Sequence, residues 1–133
     1  MTLNDLIGIP FDADNIDGIN CHELMRLAHK TFGIEIPKYD IAECSCKSIT
    51  DKELARNIAK DWKRIDKLEK PCGILFESLS ERYGNHIAVY IGKGKIIHTR
   101  RETGCIVERL SNINKKKIIG YYKFVGDYND NCC

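Results

Sequence analysis

The order of hydrophobic periods along this chain predicts an α+β domain, with N-terminal helices packed on an antiparallel sheet of about five strands. Apolar residues recur at helical spacing as far as Ile65. From Gly73 onward the period shortens, and β-branched runs alternate with tight turns. Helices first and then consecutively joined strands make an α+β meander. A chain of 133 residues, 43% hydrophobic and 30% charged, is large enough for one core without metal or disulfide staples. One domain is therefore expected over residues 1–133, with 126–133 as a flexible tail.

Residues 2–11 predict a short helical turn and a Gly/Pro-marked bend, and the polar stretch Asp12 to Asn20 a loop. A helix then opens at Cys21. Asn20 can cap it and Glu23 can reach back, an Asn variant of the capping box. Leu24, Leu27, Ala28 and Phe32 mark its buried stripe, Gly33 suits the left-handed position after the last turn, and Pro37 prevents resumption. A second helix is expected from Thr50, with Glu53 completing a capping box and Leu54, Ile58, Trp62 and Ile65 forming one apolar face. Strands are expected at Gly73–Phe76, Ile87–Ile91, Lys95–Thr99, Cys105–Leu110 and Ile118–Val125.

Composition excludes several classes of function. A formal net charge of +2, with basic residues interleaved among acids, leaves no nucleic-acid footprint. Lys115-Lys116-Lys117 reads as a solvated loop. No apolar run is long enough to enter a bilayer, so no membrane insertion is expected. Met1–Asp5 has no secretory pattern, and seven cysteines cannot all pair within one chain; both point to folding in a reducing cytoplasm. Cys44-x-Cys46 and Cys132-Cys133 lack the spacing of a zinc site. No metal or organic cofactor is expected.

The chemistry centres on Cys21. The first N–H groups of a helix carry partial positive charge, which eases ionisation of a thiol placed there. Most free cysteines are simply small buried hydrophobes, so Cys21 needs partners to be more than that. Histidines 86 and 98 supply them. A three-residue loop at Gly92-Lys93-Gly94 pairs Ile91 with Lys95 and sets His98 opposite Ala88. His86 then lies on the same face as a diagonal cross-strand neighbour of His98. A two-residue turn would instead send the rings to opposite faces. A thiol, a base and an orienting group are the parts of cysteine nucleophilic catalysis. His22 and His29 show no evident partner, and His29 is expected to face solvent.

These residues resemble the NlpC/p60 cysteine peptidases of bacterial cell walls. Asn20-Cys21-His22-Glu23-Leu24-Met25 matches the family's Asp-Cys-Ser-Gly-Leu-Val nucleophile motif. His86-Ile-Ala-Val-Tyr-Ile-Gly92 matches its His-Val-Gly-Ile-Tyr-Ile-Gly strand, and Ile96-Ile97-His98 its Phe-Ile-His. Pro71-Cys72-Gly73-Ile74-Leu75-Phe76 is similar to a Pro-Gly-Asp-Leu-Val-Leu-Phe strand. Ile7-Gly-Ile-Pro-Phe11 and Gly33-Ile-Glu-Ile-Pro37 are most like the phage tail-assembly branch. The resemblance implies a papain-like fold, Cys21 as nucleophile, His86 as base and His98 as its orienting partner. It also implies helix-start N–H groups as oxyanion donors and a peptidoglycan stem peptide as substrate. Asn20 stands where the family usually has Asp, His22-Glu23 where small residues follow the cysteine, and Phe11 is the aromatic nearest the place of a frequent upstream tyrosine.

The expected protein is thus a cysteine endopeptidase cutting γ-D-glutamyl-diaminopimelate or -lysine bonds, tail-associated in a phage or prophage, with other tail proteins as partners. The alternatives are a structural tail protein that has lost turnover on the same fold, and an amidase or acyltransferase.

Overall fold

A computed structural model describes residues 1–37, 61–77 and 86–126. Residues 50–60 of the expected second helix, the Cys44-x-Cys46 pair and residues 127–133 lie outside the described residues.

Helix α1 is one turn, Leu3–Leu6, started by Thr2, whose N–H donates to the Asp5 carboxylate at 2.7 Å. Helix α2 is Cys21–Lys30. Among the described residues six strands follow: β1 Trp62–Ile65, β2 Cys72–Phe76, β3 His86–Gly92, β4 Lys95–Arg100, β5 Gly104–Arg109 and β6 Ile118–Phe124. They form one sheet in the order β1-β6-β2-β3-β4-β5, every neighbouring pair antiparallel. Strands β2 to β5 are the expected meander. β6 then returns, after single 3-10 turns at Leu110–Asn112 and Lys115–Lys117, to the free side of β2.

β1 corrects the sequence reading. Trp62 and Ile65 were expected on a helix, but they pair with Phe124 and Tyr121 of β6. Three residues apart on a strand they point to opposite faces, whereas on a helix they would share one. Trp62 packs edge-on against Phe124 and His29, so tertiary contact overrides the local spacing.

The sheet buries both faces with different partners. Leu75, Ile87, Val89, Ile97 and Cys105 meet Leu24, Met25 and Ala28 of α2 and Leu6 of α1. The reverse face gathers Ile74, Phe76, Ala88 and Ile96 around Ile113, with Leu110, Ile118 and Tyr121 packed against them. α2 is turned further than its apolar spacing suggested, since Met25 and His29 join Leu24 and Ala28 among its buried residues. His29, expected in solvent, is fully buried, with Nδ1 2.8 Å from the Met25 carbonyl.

The N-terminal segment docks on the outer edge of β5: Gly8 N–H donates to the Cys105 carbonyl at 2.9 Å, and Cys105 N–H to that of Ile9 at 2.8 Å. Gly104 makes this possible. It has φ +68, and a Cβ there would stand 2.6 Å from the Ile9 oxygen. No helix of the described residues is long and apolar enough to cross a membrane.

Candidate active site

The loop before α2 is built to hold the helix start. Asp12 accepts the N–H groups of Asp14 and Asp17, each at 2.9 Å, which depresses its carboxyl pKa. Asn20, with no exposed surface, caps α2 by accepting Glu23 N–H at 2.9 Å and donates its amide to the Ala13 carbonyl at 3.0 Å. The reciprocal half of the capping box differs from expectation. Glu23 turns to Arg26, and the Asn20 N–H goes to the Asn15 side chain at 2.7 Å. The Glu23 carboxylate is therefore occupied by a cation, which offsets its unfavourable influence on a nearby thiolate.

Cys21 occupies the first position of α2 and is 3% exposed. α2 packs against β3 and β4 through the face that carries Ile87, Val89 and Ile97, whereas His86 and His98 alternate to the face that carries Phe76 and Ala88. Its first turn lies close enough to the start of β3 for His22 to oppose protonation of His86.

His86 and His98 come together as expected: His86 Nε2 lies 2.9 Å from His98 Nδ1. The hairpin reaches this result by an unexpected route. Lys93 and Gly94, at φ +54 and +72, form a two-residue turn that pairs Gly92 with Lys95. That turn alone would separate the rings, but a bulge between Tyr90 and Gly92 shifts the register back. Val89 then faces Ile97, and one step further Ala88 faces His98. Gly92 takes φ +96 at the bulge.

The sequence reading missed a third member. His98 Nε2 is hydrogen-bonded to the Glu108 carboxylate. β5 sets Ile106 opposite His98, and Glu108 is two residues further along, so it meets His98 by the same diagonal step that joins His98 to His86. The signal was present in the sequence, in the alternation of the predicted strand Cys105–Leu110. Asn112 steadies the other carboxylate oxygen at 3.4 Å, and Phe76 stacks beside His86 with ring centroids 6.1 Å apart.

Burial dominates the electrostatics. Desolvation, aided by the charges of His98, Arg100 and His22, pushes His86 down to about 3. Desolvation also lowers His98, against the opposing pull of Glu108. For Glu108 burial acts upward, but the bond and charge of His98, with Asn112 and Arg100, leave it below the ordinary carboxylate value. At neutral pH the row is an ionised carboxylate and two uncharged imidazoles. Among the described residues no group of three or more His, Cys, Asp or Glu could hold a metal ion.

A capped helix opening with a cysteine, packed on an antiparallel sheet that carries hydrogen-bonded histidines, defines the class of small papain-like α+β domains. The sequence profile of the NlpC/P60 family matches residues 9–122, and the chain belongs to that family, whose members are typically cysteine peptidases acting on the cell wall. No curated protein matches the chain. Two similar solved structures are an NlpC/P60 family protein from Bacillus cereus ATCC 10987 (21% identity, TM-score 0.61) and a lipoprotein-like NLP/P60 family protein from Staphylococcus aureus subsp. aureus Mu50 (17% identity, TM-score 0.59). Each match covers 92% of this chain but only 38% or 39% of the neighbour, so the chain spans well under half the length of either.

Proposed function

We propose that this domain is a cysteine endopeptidase that hydrolyses peptidoglycan stem peptides, with Cys21 as nucleophile, His86 as base and His98 as orienting partner. The observation that carries the reading is the bond between His86 Nε2 and His98 Nδ1. It commits one nitrogen of His86 to a partner and leaves Nδ1 as the nitrogen that would act as base toward a thiol. Family membership supports the substrate class.

In the proposed reaction the Cys21 thiol passes its proton to His86 Nδ1 as sulfur attacks the scissile carbonyl. N–H groups at the start of α2 stabilise the oxyanion. His86 then protonates the departing amine, and a thioester remains on Cys21. His86 next removes a proton from water as the water attacks the thioester, releasing the acid and restoring the thiol. Neutral imidazoles suit this sequence, because the base begins unprotonated.

We assign the bond to the γ-D-glutamyl-diaminopimelate or -lysine type, and the setting to a phage or prophage tail. The tail setting draws on the likeness of Ile7–Phe11 and Gly33–Pro37 to that branch. The test is mass-spectrometric digestion of purified stem peptides with Cys21→Ala as paired control. New γ-D-glutamyl fragments that vanish in the variant are expected. Cleavage by both proteins would remove Cys21 from the mechanism. Cleavage by neither, with both folded, would favour a structural role for the fold.

A further inference from the structure

Glu108, His98 and His86 form one hydrogen-bonded row across three adjacent strands, and its protons can be assigned by elimination. We propose that Glu108 is a positioning residue, whose carboxylate fixes the tautomer of His98 and, through His98, the tautomer of His86. The proposal deepens the active-site reading above and rests on it for its link to turnover.

An ionised carboxylate only accepts hydrogen bonds, so the proton between Glu108 and His98 is carried by His98 Nε2. A neutral imidazole has one donor and one acceptor nitrogen. His98 Nδ1 is therefore an acceptor, and the proton of its 2.9 Å contact is carried by His86 Nε2. His86 Nδ1 is left with a lone pair, the form a base needs in order to take a proton from a thiol. Without the carboxylate the row can run the other way: His98 Nδ1–H donates to His86 Nε2, and His86 Nδ1 keeps its hydrogen. That arrangement satisfies the pair equally well and blocks the base. Glu108 selects between them.

The neighbouring charges fit this assignment. Arg100, two residues beyond His98 on β4, favours ionised Glu108 and disfavours both imidazolium forms. Asn112, from the turn after β5, binds Glu108 Oε1 without competing for Oε2. His22, from α2, again disfavours a charged His86.

The first test needs no substrate. Long-range 1H–15N NMR of the ring nitrogens at pH 7, with His86→Gln and His98→Gln for assignment, should find both rings protonated at Nε2 in the unmodified chain. A protonated Nδ1 on either ring would overturn the proposal. In Glu108→Gln, checked for folding by thermal melting, a mixture of tautomers is expected. Turnover of stem peptide should fall at least tenfold in kcat with little change in KM, and Glu108→Asp should recover part of the loss. Unchanged tautomers and unchanged kcat in Glu108→Gln would also overturn it. Should Glu108→Gln fail to fold, the tautomers of the unmodified chain still decide. If the tautomers are as assigned but Cys21→Ala cleaves as well as its parent, the tautomer assignment stands and the active-site reading fails.

Discussion

The three cysteines among the described residues have nearly the same exposure, so exposure does not distinguish a nucleophile here. Cys21 is 3% exposed, and Cys72 and Cys105 are fully covered. Their surroundings differ. Desolvation raises the Cys72 and Cys105 thiols and holds them protonated, whereas Cys21 meets the N–H groups of a helix start. A small alkylating probe at pH 7.5 should label Cys21 at least about tenfold faster than the other two, read by peptide mass spectrometry. Equal rates for all three would mean that global opening governs labelling and that Cys21 is not activated. The residue types at the site were legible in advance: Cys21 from its place after a capping Asn20, and His86 and His98 from alternation across a hairpin. Glu108 was equally available to the same diagonal argument but lay one hairpin further on. His29 was not legible, because its burial depends on Trp62, whose own strand was read as helix.

The start of α2 depends on one side chain more than on the helix's own propensity. Asn20 holds the N–H of Glu23 and the carbonyl of Ala13, while its own N–H is held by Asn15. Asn20→Ala removes the cap and the donor to the part-buried Ala13 carbonyl, at a cost of about 2 kcal/mol. The melting temperature should fall by several degrees. Asn20→Ser, which keeps an acceptor for Glu23 N–H, should recover part of the loss. A melting curve for Asn20→Ala that matches the parent would show that packing against β3 and β4, and not the cap, sets the helix start. The hairpin teaches a related lesson. Turn length alone favoured separated histidines once Lys93-Gly94 is the turn, and the bulge restored the pairing. A bulge leaves little mark in sequence beyond a glycine at its position, here Gly92 at φ +96.

For the whole molecule, buried uncharged histidines make stability depend on pH. Desolvation pushes His29 down to about 4, against a pull upward from the Met25 carbonyl. Its unfolded value is near 6.5, so between those values the unfolded chain binds the proton and the folded one does not. Stability is therefore full above about pH 6.5 and declines as pH falls toward 4, by about 2 kcal/mol at pH 5 for this residue alone. His22 and His86, also depressed by desolvation, act in the same direction. Urea unfolding at pH 7.5 and pH 5 should show the loss, and His29→Gln should reduce the difference by about 2 kcal/mol. An undiminished difference in the variant would exclude His29 as a source.

Local chemistry by itself determined the α+β class, the five expected strands and the capped helix behind Cys21, whereas the pairing of His86 with His98 needed the bulge before Gly92 as well. Each follows from spacing within one element or across one short turn, where chain connectivity leaves few alternatives. The tertiary structure alone decided β1, the return of β6 to the free side of β2 and the burial of His29. These depend on contacts between residues far apart in the chain or two hairpins removed. There the free energy lies in buried area and in satisfying buried polar groups, and no local period of the sequence reports it.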